Sequence, residues 1–259
     1  MTLHFKESNV FYEDFGKGSA VVLLHGFLEN STMWKELIPH LTKRNRVITI
    51  DLLGHGKTDS LGYIHTMEDM AEAVFTVLKS LRLRKIKIVG HSLGGYVALA
   101  LTEKHPQMIK SICLMNSTSV EDSPERKTLR LRANKMIQNN FENVVRMSFS
   151  NLFGEKNRNL YKEEMKSALR EALKTPIQGY IAGQEGMRIR TNRTAILTEN
   201  EFKKLIIIGE KDPVLNLESS LKEAKRTNSE VVVFPEGHMS HIENAAALYR
   251  ALRYFVDIN

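Results

Sequence analysis

Short runs rich in aliphatic and β-branched residues alternate with amphipathic helical patterns through the first 116 residues. Parallel strands cannot be joined by a tight turn, so each needs a crossover. The alternation is therefore the pattern of successive βαβ units feeding one mostly parallel sheet. Thr2 to Phe5 and Val10 to Asp14 read as an edge pair, while Ala20 to Leu24, Arg46 to Ile50, Lys85 to Val89 and Ser111 to Met115 read as buried strands. Between them, Ser31 to Leu41 and Thr66 to Leu81 carry apolar residues at steps of three and four, which predicts two amphipathic helices. Thr66, with Asp69 three residues on, is close to a capping box for the second.

From about Ser117 to Arg193 the strand signals stop. That stretch reads as several helices rich in Met, Leu, Phe and basic residues, with breaks expected near Gly154, at Pro176 to Gly179 and at Gly183. Met136, Phe141, Met147, Phe149 and Phe153 are expected to line or pack it. Strand signals resume at Leu205 to Gly209 and Glu230 to Phe234, and a helix over about Asn244 to Val256 closes the chain. With 259 residues, 42% of them apolar, one core is affordable and two are not required. The expected organisation is one α/β domain with a core from 1–116 and 194–259 and a helical cap inserted at 117–193.

Composition removes several functional classes. The single cysteine, Cys113, rules out an internal disulfide, and within Ser111 to Met115 it reads as a small buried hydrophobe. Met1 to Phe15 has no uninterrupted apolar stretch, and the longest tight apolar run, Ala20 to Leu24, is far short of the roughly 20 residues of a spanning helix. A cytoplasmic protein without a membrane span is expected. The net charge of +7 raises nucleic acid as a partner, but the signs interleave at helical spacing along Lys162, Glu163, Glu164, Lys166, Arg170, Glu171 and Lys174. A solvated helix face explains that better than a nucleic-acid groove. Arg188, Arg190 and Arg193 likewise read as a solvated cluster, with contact to an anionic substrate as the alternative. Gly56-Lys57-Thr58 resembles the tail of a phosphate-binding loop, but Asp51 stands where its first glycine belongs. No His-Glu-x-x-His or paired Cys/His spacing occurs, and His238, His241 and Glu243 crowd one loop, so neither metal nor other cofactor is expected.

Three motifs carry chemistry. Gly90-His91-Ser92-Leu93-Gly94 lies between a strand ending at Val89 and a helical run from Tyr96 to Glu103. A sharp strand-to-helix turn strains the serine and leaves no room for side chains two residues to either side, which accounts for both glycines. It also lifts the Ser92 hydroxyl to a helix N-terminus, where developing negative charge is favoured. His25-Gly26-Phe27 follows a strand at the point where an oxyanion needs a second backbone donor. Late in the chain, Asp212-Pro213 and Glu236-Gly237-His238 each follow a strand. A serine hydroxyl needs a histidine to take its proton and a carboxylate to hold that imidazole in the useful tautomer. Ser92, Asp212 and His238 supply the set in that chain order, with His241 as a competing base and Asp122 as a lesser alternative for the acid.

These residues resemble the α/β-hydrolase superfamily, specifically its single-domain esterase-like members with a helical cap. The resemblance runs from His25-Gly26-Phe27 through Asp51 to Ser60, the Ser92 elbow, Asp212 and His238. It implies an α/β-hydrolase fold: a mostly parallel central sheet of about eight strands flanked by helices. It also implies that the Phe27 and Leu93 amides form the oxyanion hole. The activity expected from it is a cofactor-free serine hydrolase acting on a small ester-like molecule through an acyl-enzyme. Haloalkane dehalogenases and epoxide hydrolases use an aspartate at the elbow, so Ser92 argues against both. Carboxylesterases, lactonases, thioesterases, carbon–carbon bond hydrolases and perhydrolases share the triad and differ in pocket shape, and the cap is where the resemblance is weakest. The alternative class is a small-molecule receptor that keeps the fold.

Overall fold

A computed structural model describes residues 1–257. Its strands are β1 (Thr2–Phe5), β2 (Ser8–Gly16), β3 (Ser19–Leu24), β4 (Asn45–Ile50), β5 (Ile86–His91), β6 (Ile109–Met115), β7 (Lys203–Gly209) and β8 (Glu230–Phe234). They form one sheet in the order β1-β2-β4-β3-β5-β6-β7-β8. β1 and β2 pair antiparallel, as does β2 with β4, and every other pairing is parallel. The helices are α1 (Ile38–Leu41), α2 (Met67–Ser80), α3 (Leu93–Lys104), α4 (Pro124–Ile137), α5 (Phe141–Ser150), α6 (Glu155–Leu160), α7 (Lys162–Ala172), α8 (Ile177–Ile189), α9 (Thr194–Thr198), α10 (Leu217–Arg226), α11 (Ser240–Glu243) and α12 (Ala245–Asp257).

Successive side chains on a strand point to opposite faces, and here both faces are apolar because helices cover both. Val22 and Leu24 of β3 join Ile48, Ile88 and Ile112 in the layer beneath α2 and α3. Val21 and Leu23 join Val47, Val89, Cys113 and Ile207 in the opposite layer, closed by Trp34 and by Leu248, Leu252 and Phe255 of α12. Cys113 is fully enclosed there, and burial pushes its thiol up, out of the reactive range.

Helix α2 begins as its sequence predicts: the Thr66 hydroxyl accepts from the Asp69 amide at 3.0 Å and donates to the Asp69 carboxylate at 2.6 Å. The helix expected over Ser31 to Leu41 does not form as one piece. A single 3-10 turn at Ser31–Trp34, capped by Asn30, is followed by the short α1. Pro39 lies inside the run and has no N–H to continue a helix begun upstream.

Helices α4 to α8 stand between β6 and β7. They enclose a third apolar cluster of Ile137, Val144, Val145, Phe149, Phe153 and Tyr180, which also takes in Leu28 after β3 and Met239 after β8. Phe141 packs against it, whereas Met136 and Met147 are exposed. The break expected over Pro176 to Gly179 falls at Pro176, the extended residue that caps the start of α8, but the one expected at Gly183 does not occur, because α8 runs on through Gly179 and Gly183. The glycines serve tertiary approach: a Cβ on Gly179 would overlap the Gly54 carbonyl, and one on Gly186 the His65 carbonyl. The His65 amide seals the contact by donating to the Ala182 carbonyl at 3.0 Å.

Candidate active site

Because β3 and β5 to β8 run parallel, the segments that follow them emerge along one edge of the sheet, where α/β proteins bind ligands. This gathers Gly26-Phe27, Ser92, Asp212 and His238 from distant parts of the chain. Ser92 is held at φ +49°, ψ −113° at the head of α3. Its amide donates to the Met115 carbonyl at 2.9 Å, and its own carbonyl accepts from the Gly95 amide at 3.0 Å and the Ser117 hydroxyl at 2.7 Å. A Cβ on Gly90 would overlap Gly94 and Gly95, so the turn closes only with that glycine, and one on Gly94 would overlap the Leu24 and His25 carbonyls, so the head of α3 lies against the end of β3 only with the second. Two other non-glycine residues with positive φ border the same region, Leu28 at +63° and Asn116 at +45°. Backbone strain concentrated this way costs on the order of 1–3 kcal/mol per residue and persists where the surroundings over-determine it.

His238 Nδ1 donates to Asp212 Oδ2 at 2.8 Å. That carboxylate accepts nothing but donors: Asn116 Nδ2 at 3.0 Å on Oδ2, and the Val214 and Leu215 amides at 2.7 and 3.1 Å on Oδ1. Burial works to raise the Asp212 pKa, but the facing imidazole and these donors outweigh it and hold the carboxyl below its usual range. With Nδ1 carrying the proton, His238 Nε2 is left as the basic nitrogen. His238 and the half-buried Ser92 line one cavity of about 400 Å³, together with Phe27, Tyr96, Gln184 and Met187. Phe27 sets its ring edge-on to Tyr180 at 5.0 Å, and Leu93 is the buried first residue of α3. Neither the Phe27 nor the Leu93 amide donates a hydrogen bond among the described residues.

The alternatives have other partners. Asp122 is paired with Arg130 at 2.5 Å and Arg190 at 2.7 Å. His241 lies 3.5 Å from Glu29, and burial lowers its pKa to about 4. Of the late arginines, Arg188 pairs with Glu185, Arg190 is held by Asp122 and stacks 4.0 Å from the Tyr96 ring, and Arg193 pairs with Glu68 and Glu103. They are tied into the protein rather than solvated as a cluster.

Sequence reasoning did not single out Glu29 or His91. His91 Nδ1 meets Glu29 Oε2 at 2.6 Å, and its Nε2 meets the His238 carbonyl at 3.0 Å. Both acceptors lack hydrogens, so both ring nitrogens carry protons and the ring is an imidazolium. Burial alone would lower the His91 pKa, but the Glu29 charge wins and raises it; the same pairing holds Glu29 at about 2. Glu29, His91 and His241 place three possible metal-ligand atoms within 4.8 Å of one another. Glu29 Oε2, however, already accepts from both His91 and the Gly26 amide, the latter at 2.7 Å, so the group fits a charge-paired brace.

A family model described as alpha/beta hydrolase fold matches residues 19–245. An esterase from Thermogutta terrifontis, solved with malate bound, superposes with a TM-score of 0.91 at 29% identity, covering 96% of this chain and 93% of that one. The enol-lactonase from Burkholderia xenovorans LB400 superposes with a TM-score of 0.92 at 20% identity over 99% and 100% of the two chains, a likeness of fold. An uncharacterized protein of Mycobacterium tuberculosis is 34% identical over 122 residues, 46% of this chain, and the match spans 36% of the relative's length. Sheet order, elbow geometry and the matched span together place this chain in the alpha/beta hydrolase fold family.

Proposed function

We propose that this chain is a serine hydrolase that cleaves a small ester-like substrate through an acyl-enzyme. The reading rests on the 2.8 Å hydrogen bond from His238 to Asp212 at a cavity that Ser92 also lines. Ser92 Oγ attacks the substrate carbonyl while His238 Nε2 takes its proton, and Asp212 keeps the imidazole oriented and stabilises its charged form. The Phe27 and Leu93 amides receive the oxyanion, placed at the N-terminus of α3 where the helix dipole adds to them. His238 returns the proton to the leaving group, and water then attacks the acyl-enzyme by the reverse route. Helices α4 to α8 act as the cap that shapes the substrate space.

The test is hydrolysis of a short-chain p-nitrophenyl ester by wild type and Ser92→Ala, paired with fluorophosphonate labelling. Loss of the nucleophile lowers kcat by at least about 10³-fold, and the label maps to Ser92. Equal rates in the two proteins would defeat the assignment. An inert Ser92 in a folded protein would favour a small-molecule receptor instead.

A further inference from the structure

We propose that the substrate carries a carboxylate, received by Arg126 and Arg130 of α4 on the cap side of the cavity. The inference rests on the hydrolase reading and names the substrate class for the same site. Both arginines line the cavity that holds Ser92 and His238. The Arg130 side chain is only 11% exposed; its Nε reaches Asp122 at 2.5 Å and its Nη1 reaches Gln184 Oε1 at 2.7 Å, while Nη2 donates to nothing among the described residues. Arg126, one turn earlier and half-buried, forms no ion pair or side-chain hydrogen bond among the described residues.

The charge balance on this wall is what points to an anion. Asp122 is the carboxylate that answers Arg130, and it is shared with Arg190. The cavity lining itself carries two guanidinium groups, Arg126 and Arg130, and one carboxylate, Glu29. His91 answers Glu29, whereas Glu121 and Glu223, held by hydrogen bonds from Asn192 and from Ser119 and Thr118, lie with Asp122 along the neighbouring groove that Arg126 also borders. Uncompensated charge is costly beside an enclosed, partly apolar space, and a carboxylate with its two oxygens matches the guanidinium fork. Low-dielectric walls focus such a field into the cavity, so the anionic end is drawn to α4 and the ester carbonyl is left toward Ser92. A neutral ester gains none of this.

The experiment compares p-nitrophenyl hexanoate and octanoate with the mono-p-nitrophenyl esters of adipic and suberic acid, which match them in length and add a terminal carboxylate. Wild type is expected to favour at least one acid ester by about 10-fold in kcat/KM, as expected for a charge-assisted contact, and to lose the preference as salt screens the contact. Arg126→Gln lowers the acid-to-neutral ratio toward one, Arg126→Glu inverts it, and Arg126→Lys keeps part of it. Turnover of the neutral esters with no preference, or a preference unchanged in Arg126→Gln, would overturn this inference and leave the hydrolase reading standing. No turnover of any ester, with no fluorophosphonate adduct at Ser92, would overturn both.

Discussion

Glu29 is one side chain that binds three loops together. It fixes the Gly26 amide beside Phe27, and through His91 it holds the carbonyl of His238 while His91 itself precedes Ser92 in the elbow. A buried ion pair contributes little over an apolar packing of the same shape, but removing one partner strands the other charge. Glu29→Gln leaves the His91 imidazolium without its counter-charge and is expected to cost about 3 kcal/mol or more in urea unfolding at pH 7. A variant as stable as wild type would show that the pair is not ionised. Ser92, Asp212 and His238 are legible in sequence because glycine, proline or a strand end marks each one locally. Glu29 has no such marker, since its partner lies 62 positions away and only the folded sheet brings them together.

At the scale of elements, α8 shows how tertiary contact overrides local preference. Glycine is a poor helix residue, worth roughly 1 kcal/mol less than alanine, so a helix that keeps Gly179, Gly183 and Gly186 must recover that elsewhere. Gly179 and Gly186 do so by letting α8 lie directly on the Gly54 and His65 backbone, while a Cβ on Gly183 would meet only the Phe27 and His55 side chains, no nearer than 3.3 Å. Gly186→Ala is therefore expected to lower the thermal midpoint despite its better helix propensity, because the Cβ must displace backbone. Gly183→Ala is expected to shift it by far less. The reverse order would mean that propensity governs α8. The strands are easier to read, because a buried parallel strand is an almost continuous aliphatic run, and all eight expected runs appear as strands.

For the whole molecule, the interior histidines decide the response to acid. Burial keeps His25, His55, His65 and His241 neutral and lowers their pKa values, to about 3 for His55 and about 4 for His65 and His241. An unfolded chain protonates each near pH 6.5. Between about 6.5 and 4 it therefore binds protons that the folded chain refuses, and stability falls as pH falls. His91 acts oppositely: its pKa is raised, so its contribution is present in acid and lost as pH climbs through its folded value. Glu29, held at about 2, keeps its full contribution above the unfolded carboxylate value of about 4.3 and loses it progressively between there and about 2. Four groups against one set the net sign, and urea unfolding is expected to show a steady loss of stability from pH 7 to 4.5. A flat or rising profile would show that these histidines are not held neutral.

The sequence by itself determined the alternation of strands and helices, the elbow glycines around Ser92, and the order in which Ser92, Asp212 and His238 follow their strands. These are local signals, because backbone sterics and hydrophobic period act over a few neighbouring residues. Only the tertiary structure decided that Glu29 pairs with His91, that α8 continues through its glycines, and that Arg126 and Arg130 face the cavity beside Ser92. Each of those depends on burial and charge balance between segments far apart in the chain, and burial does not exist until the sheet has closed.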